Sequence, residues 1–194
     1  MKKVLFGVIA ILSLFLIGSL SELHFNVVNA VPGDVKMIRS SEIGKNTKAV
    51  LFEDQVHKTF GVAKIEKRLG FLYRYDGGSW GYMVEEGKPF QACGIGDNDD
   101  FLVAIKTAKN SNIEYIVLGN HMEGVAPTDK YELSLDDVRE NMDEYYVKQV
   151  ENNYVLFVTD EYSEDTWTIR AFDKDGILIA DELFGGDARY IDWN

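Results

Sequence analysis

The stretch Thr47-Lys48-Ala49-Val50-Leu51-Phe52-Glu53-Asp54-Gln55-Val56-His57-Lys58-Thr59-Phe60 decides how the rest of the chain is read. Ala49, Phe52, Val56 and Phe60 recur at spacings of three, four and four, and Gly61 follows directly. Residues so spaced share one face of a helix, and a glycine just past the last of them ends it. The spacing therefore predicts an amphipathic helix over 47–60.

Beyond it the period changes. Gly70 to Asp76, Ser79 to Glu85, Phe101 to Thr107 and Ile113 to Leu118 are short alternating or β-branched runs between Gly, Asn and Asp, which read as strands in hairpins. Ser134 with Asp137 three residues on reads as a capping box, and Leu135, Val138 and Met142 share a face, so a short second helix is expected there. Tyr146 to Val150, Tyr154 to Thr159, Thr166 to Phe172 and Ile177 to Leu183 then read as strands, broken by Asn152-Asn153, Tyr162-Ser163 and Asp175-Gly176. A two-residue turn at Asp175-Gly176 sets Arg170 opposite Asp181. No segment repeats the strand, glycine-rich turn and long helix of a parallel nucleotide-binding sheet. The expected fold class is α+β: a polar linker over 31–46, then one domain over 47–194 in which an amphipathic helix packs on an antiparallel meander.

The most informative local pattern is Gly70-Phe71-Leu72-Tyr73-Arg74-Tyr75-Asp76-Gly77-Gly78-Ser79-Trp80-Gly81-Tyr82. With Gly77-Gly78 as a two-residue hairpin loop, Asp76 pairs with Ser79, Tyr75 with Trp80, Tyr73 with Tyr82 and Phe71 with Val84. One face is then almost wholly aromatic. Packed on the helix, such a face is core. Left open, Tyr73, Tyr75, Trp80 and Tyr82 form a stacking platform for the sugar rings of an envelope glycan, and an exposed apolar patch of that size calls for a ligand.

The chain has 194 residues, of which 20 are Lys or Arg and 32 Asp or Glu, for a formal charge of −12, and 46% are apolar. That is the balance of an ordered acidic domain. A single cysteine excludes a disulfide framework and a thiolate zinc cage, and three scattered histidines argue against a histidine-rich metal centre. Residues 1–30 hold two lysines and one glutamate, a charge of +1, so the remainder carries −13. Phosphate is repelled by such a body, which disfavours nucleic acid as a partner. The sign is uneven: residues 36–75 carry nine basic and four acidic side chains, residues 160–194 three basic and ten acidic.

Lys2 and Lys3 lead into Val4 to Leu20, seventeen residues interrupted only by Gly7, Ser13, Gly18 and Ser19. A short positive segment followed by an apolar run reads as a secretory signal or a signal anchor. A helix of that length spans about 26 Å, slightly short of a hydrocarbon core of roughly 30 Å, so length leaves removal and retention both open. Val28-Asn29-Ala30 offers small or medium residues where signal peptidase reads, before Val31-Pro32-Gly33, whereas Glu22 and His24 are unusual so close to a cleavage site. Either way the body is expected to be extracytoplasmic, membrane-tethered through residues 4–20 or secreted. The leader resembles those of exported proteins of Gram-positive bacteria, a resemblance confined to the first thirty residues that implies no activity.

Other motifs are weaker. Gly77-Gly78-Ser79-Trp80-Gly81 matches the nucleophile-elbow string, with Asp97 and His121 following, but strand-like residues stand where the elbow needs a helix. With Gly176 as turn glycine, Asp173, Asp175 and Glu182 fall at ligand positions of a twelve-residue calcium loop, but Ala171 occupies the first, which favours a plain Asp-Gly turn. Asp97, Asp99 and Asp100 in Gly94-Ile95-Gly96-Asp97-Asn98-Asp99-Asp100 are the remaining metal candidates, for weakly held calcium, against a solvated turn. Cys93 reads as a small buried residue. The expectation is a binding or interaction module at the cell envelope, with an envelope protein or glycan as partner. The alternatives are an envelope hydrolase working through carboxylates and a calcium-stabilised structural domain.

Overall fold

The computed structural model describes residues 22–96 and 99–193; the leader through Ser21, including the expected span 4–20, lies outside the described residues, as do Asp97 and Asn98. Among the described residues no helix is long and apolar enough to cross a membrane. The architecture is almost entirely antiparallel β, which corrects the α+β expectation. Among the described residues only two short helices are present, α1 (Val27–Ala30) and α2 (Leu135–Glu140).

The predicted helix over 47–60 is instead a hairpin. Thr47–Asp54 forms strand β2, and Phe60 opens strand β3 (Phe60–Arg68). The helical spacing used Ala49 and Phe52 and left out Val50 and Leu51. The strand buries all four: Ala49 and Leu51 on one face, Val50 and Phe52 on the other. Val56, required on the apolar helix face, is 67% exposed in the turn. Asp54 builds that turn, its Oδ1 accepting from the N–H of Val56 at 2.7 Å and of His57 at 3.0 Å. A strand covered on both sides has no polar alternation, and four consecutive apolar residues fit a helical stripe by chance.

The stretch read as linker holds strand β1 (Val35–Ile43), which pairs with β2. With β4 (Leu72–Tyr82) these make a four-stranded meander β1-β2-β3-β4. The Gly77-Gly78 hairpin is also corrected. Both glycines lie inside β4, opposite Lys64 and Ala63, and the reversal falls at Leu69-Gly70, whose φ values of 50° and 79° suit a turn matched to strand twist. Gly78 serves close approach instead: a Cβ there would stand 2.7 Å from the Val62 carbonyl oxygen and 2.8 Å from the Tyr75 hydroxyl.

A second sheet, ordered β5-β6-β9, comprises Phe90–Gly96, Phe101–Thr107 and Tyr154–Thr159; a third, ordered β12-β11-β10-β7-β8, comprises Arg189–Tyr190, Leu178–Glu182, Ile169–Phe172, Tyr115–Gly119 and Tyr145–Gln149. The second sheet is the filling between the other two. Leu102, Ala104, Cys93 and Leu156 pack toward Ala49, Leu51, Phe60 and Val62 of the first sheet. From the opposite face Val103, Ile105, Val155 and Phe157 pack toward Ile116, Leu118, Ile169 and Ala180 of the third. Each fully buried Val, Leu, Ile or Phe contributes roughly 1.5–3 kcal/mol, so these two interfaces are the main source of stability.

Short elements close the outer faces. On the first sheet, Ala30 and Val31 cover Val50, Phe52, Ala63 and Ile65, and His24 exchanges backbone hydrogen bonds with Tyr73 at 2.9 and 2.8 Å. On the third, α2 lays Leu135 and Val138 against Val117, Phe172 and Leu178. The expected capping box is present, Asp137 N–H donating to Ser134 Oγ at 3.1 Å and Ser134 N–H to Asp137 Oδ2 at 2.9 Å. Met142, placed with the buried face from the sequence, is 54% exposed because the helix ends at Glu140. Arg170 stands opposite Asp181 as expected, although a bulge at Ala171/Phe172 lengthens the turn around Asp175-Gly176.

Candidate functional site

The four aromatic residues expected on one face are divided by irregularities in β4. Tyr73 and Tyr75 pack against the outer cluster around Ala63 and Ile65, and Trp80, 51% exposed, sets its ring edge-on to Tyr75 at 6.2 Å. A bulge with Gly81 as its extra residue then separates Trp80 from Tyr82, whose ring lies 6.3 Å from Phe60 of the inner cluster. Of the four, Tyr82 lines a cavity with other aromatic rings.

That cavity, of about 440 Å³, lies at the free edge of β5 and is walled by Tyr82, Phe101, Tyr162 and Trp167, with Gln91, Cys93, Gly94 and Glu182 beside them. Phe101 comes from β6, Tyr162 and Trp167 from the connection between β9 and β10, and Glu182 from the end of β11. Phe101 is the pivot. Tyr162 meets it at 5.1 Å and 72°, Trp167 at 5.8 Å and 61°, so rings stand nearly perpendicular around a corner. Such edge-to-face pairs hold their orientation without further support. Gly94 makes room for them: a Cβ there would stand 2.8 Å from the tip of Phe101 and 2.9 Å from the Trp167 ring.

Glu182 pairs across the ladder with Ile169 and lies two residues after Ala180, so it occupies a position on the apolar face between the second and third sheets. Burial, the largest influence, pushes its carboxyl up to about 7; Asp187 adds to this and Lys88 opposes it. Among the described residues none donates a hydrogen bond to this carboxylate or pairs with it within 4.0 Å. A raised folded-state value means a cost that appears as the unfolded chain ionises. Stability is fully kept below about 4.5, falls as pH rises toward 7, and is level above that. Glu182→Gln is therefore expected to leave stability unchanged at pH 4 and to raise it at pH 8 by about 2 kcal/mol, discounted from an upper bound of about 3 for residual solvent. Urea unfolding at the two pH values checks this; equal gains at both would contradict it.

The other chemistry-bearing residues stand apart. Cys93 is buried and its thiol is pushed up to about 12, which removes it as a nucleophile. His24 bridges to Tyr73, the His57 ring contacts Asp54 at 2.9 Å, and His121 Nε2 lies 3.7 Å from Glu164. Ser79 of the elbow string sits within β4 and donates to the Tyr82 hydroxyl at 3.0 Å. Asp100 accepts from Lys64 at 2.8 and 2.9 Å, Asp99 lies in the adjoining bend, and Asp97 is outside the described residues. Asp173 Oδ1 accepts from the N–H groups of Asp175 and Ile177, both at 2.9 Å, and so builds the turn. Among the described residues no group of three or more His, Cys, Asp or Glu side chains is placed to hold a metal ion.

A second hollow, lined by Asn120, Asp143, Glu144, Asp160, Glu161 and Asp165, is acidic. Two of its acids hold loops: Asp165 accepts from His121 N–H and Glu144 from Asn120 Nδ2. Sequence reasoning missed Gln91, Phe101, Tyr162 and Trp167 as one site, since they come from three places in the chain. Glu182 alone left a signal, an acid in phase with Ala180 on an otherwise apolar face. A scan of protein-family models and searches of curated proteins and of solved structures find no match to this chain.

Proposed function

We propose that the chain is a recognition module of the cell envelope, exported by its leader, and that it binds a glycan in the aromatic cleft at the edge of β5. The observation that carries this reading is the corner formed by Tyr82, Phe101, Tyr162 and Trp167, with Gln91 and Glu182 at its side. Perpendicular aromatic faces beside a few polar groups suit a sugar, whose C–H faces stack on rings while its hydroxyls reach hydrogen-bond partners. Tyr162, 50% exposed, offers its ring without being part of the core.

The test is calorimetric titration of the full chain with a tetramer of N-acetylglucosamine. Tyr162→Ala is expected to weaken binding about tenfold, the equivalent of about 1.4 kcal/mol, while the melting temperature stays within about 2 °C. Tyr73→Phe, on the other side of the first sheet, leaves affinity unchanged. No heat with the tetramer, or equal loss in both variants, would count against the cleft. The hydrolase alternative would use Glu182 as its acid and predicts new reducing ends on prolonged incubation, whereas a binding module returns the tetramer intact.

A further inference from the structure

We infer that the sugar held in this cleft carries an ammonium group, seated among the faces of Tyr82, Tyr162 and Trp167 with Glu182 as its counter-ion. This rests on the glycan reading above and adds the charge of the ligand. Aromatic faces carry the negative part of the ring quadrupole, and a cation held in a cleft walled by several rings is attracted to the faces it lies over. In this cleft Tyr162 and Trp167 stand at 72° and 61° to their common neighbour Phe101. A neutral sugar satisfies stacking alone; a cation also uses the quadrupole.

The carboxylate decides between them. Glu182 interrupts an apolar face that continues through Ile169, Ala171 and Ala180, and an acid in such a position is costly unless a cation joins it. Lys88 is the nearby basic residue, and its Nζ lies 4.0 Å from Asp187. Around Glu182 the flanking hollow is lined by Glu85, Lys88, Gln91, Asp187 and Ala188, so the acids Glu85 and Asp187 face it from the loops after β4 and β11, with Lys88 the basic residue among them. Tyr82, Cys93 and Tyr162 are the remaining titratable groups of the cleft, none of them cationic. The acidic excess of residues 160–194 adds long-range attraction for a positive ligand.

The burial that raises the Glu182 carboxyl to about 7 gives the inference a readout in pH. A fixed cation binds the ionised acid, so its affinity rises with pH through that value: about tenfold between pH 6 and pH 8 by linkage. The experiment uses the full chain and two probes, the neutral N-acetylglucosamine tetramer and the same tetramer bearing trimethylammonium in place of each acetamido group. The trimethylammonium probe is expected to bind at least tenfold more tightly at pH 8, with most of that preference gone at pH 6. Glu182→Gln removes most of the preference and all of its pH dependence. His121→Gln, which removes the histidine packed on Phe184 behind Tyr162, leaves both in place. Equal affinity for the two probes, or a preference that keeps its full size and pH dependence in Glu182→Gln, overturns the ammonium assignment while the glycan reading stands. Failure of both probes to bind overturns the glycan reading itself.

Discussion

Replacing Arg170 by alanine is expected to lower the unfolding free energy by about 3–5 kcal/mol, a large part of the 5–15 kcal/mol typical of a domain. Arg170 is fully buried, yet each of its three guanidinium nitrogens donates a hydrogen bond. It donates to the Tyr131 hydroxyl at 3.1 Å, to the Asn120 carbonyl at 2.7 Å and to the Gly119 carbonyl, and it lies over the rings of Tyr131 and Tyr145. Its ladder partner Asp181, also fully buried, is held by Arg189 at 2.7 and 3.2 Å. Truncation takes this donor from the Gly119 and Asn120 carbonyls and leaves the Tyr131 hydroxyl with Asp181 alone, and a buried acceptor left without its donor costs more than the hydrogen bond itself contributes. Arg170→Lys keeps the charge but loses the planar fork and recovers only part of the stability. Arg139→Ala, removing an exposed pair with Asp136, changes it by less than about 0.5 kcal/mol. Urea unfolding compares the three; a loss below 1 kcal/mol for Arg170→Ala would show that the network is not structural.

Deleting residues 1–30 is expected to destabilise the body by about 3 kcal/mol relative to deleting residues 1–21, a fall of roughly 6–12 °C in melting temperature. The difference is the segment from Glu22 to Ala30. It supplies the backbone exchange between His24 and Tyr73 and the apolar cover of Val27 and Ala30. Without it Val50, Phe52, Ala63 and Ile65, each at most 2% exposed, keep Val31 but lose the rest of the N-terminal cover on the outer side of the first sheet. Binding of a hydrophobic dye should rise in the shorter chain and not in the longer. The result bears on export as well: Ala30 is 4% exposed, so removal of a leader after Ala30 would take part of the folded body with it. Matching melting curves for the two deletions would show that this segment is an appendage.

Strands with turn chemistry at both ends were readable from the sequence. Phe101–Thr107 and Tyr154–Thr159 have the bounds that their β-branched runs suggest, Asn152 and Asn153 turn with φ of 53° and 66°, and Ser134 caps its helix. Double-sided burial hid the first hairpin. Because the first sheet is covered by α1 outside and by the second sheet inside, β2 lost the alternation that marks a strand. The aromatic platform failed for a different reason. Pairing around Gly77-Gly78 assumed a local hairpin, but β3 was available as a partner for the whole of β4, and the bulge at Gly81 then sent Trp80 and Tyr82 to different clusters. The cleft was invisible because its rings come from β4, from β6 and from the connection between β9 and β10, which meet only in the stacked sheets, and no local pattern encodes that.

The proposal that the cleft binds a glycan is tested most directly by nuclear magnetic resonance of the full chain during titration with the N-acetylglucosamine tetramer. The largest shifts are expected at the Trp167 indole N–H and the Gly94 amide, which lie against the cleft. The indoles of Trp80 and Trp193 stay in place, the latter being tied to the Leu178 carbonyl at 2.7 Å. A still Trp167, with shifts gathered instead around Tyr73, Tyr75 and Trp80, would move the binding surface to the far side of the first sheet and contradict the account.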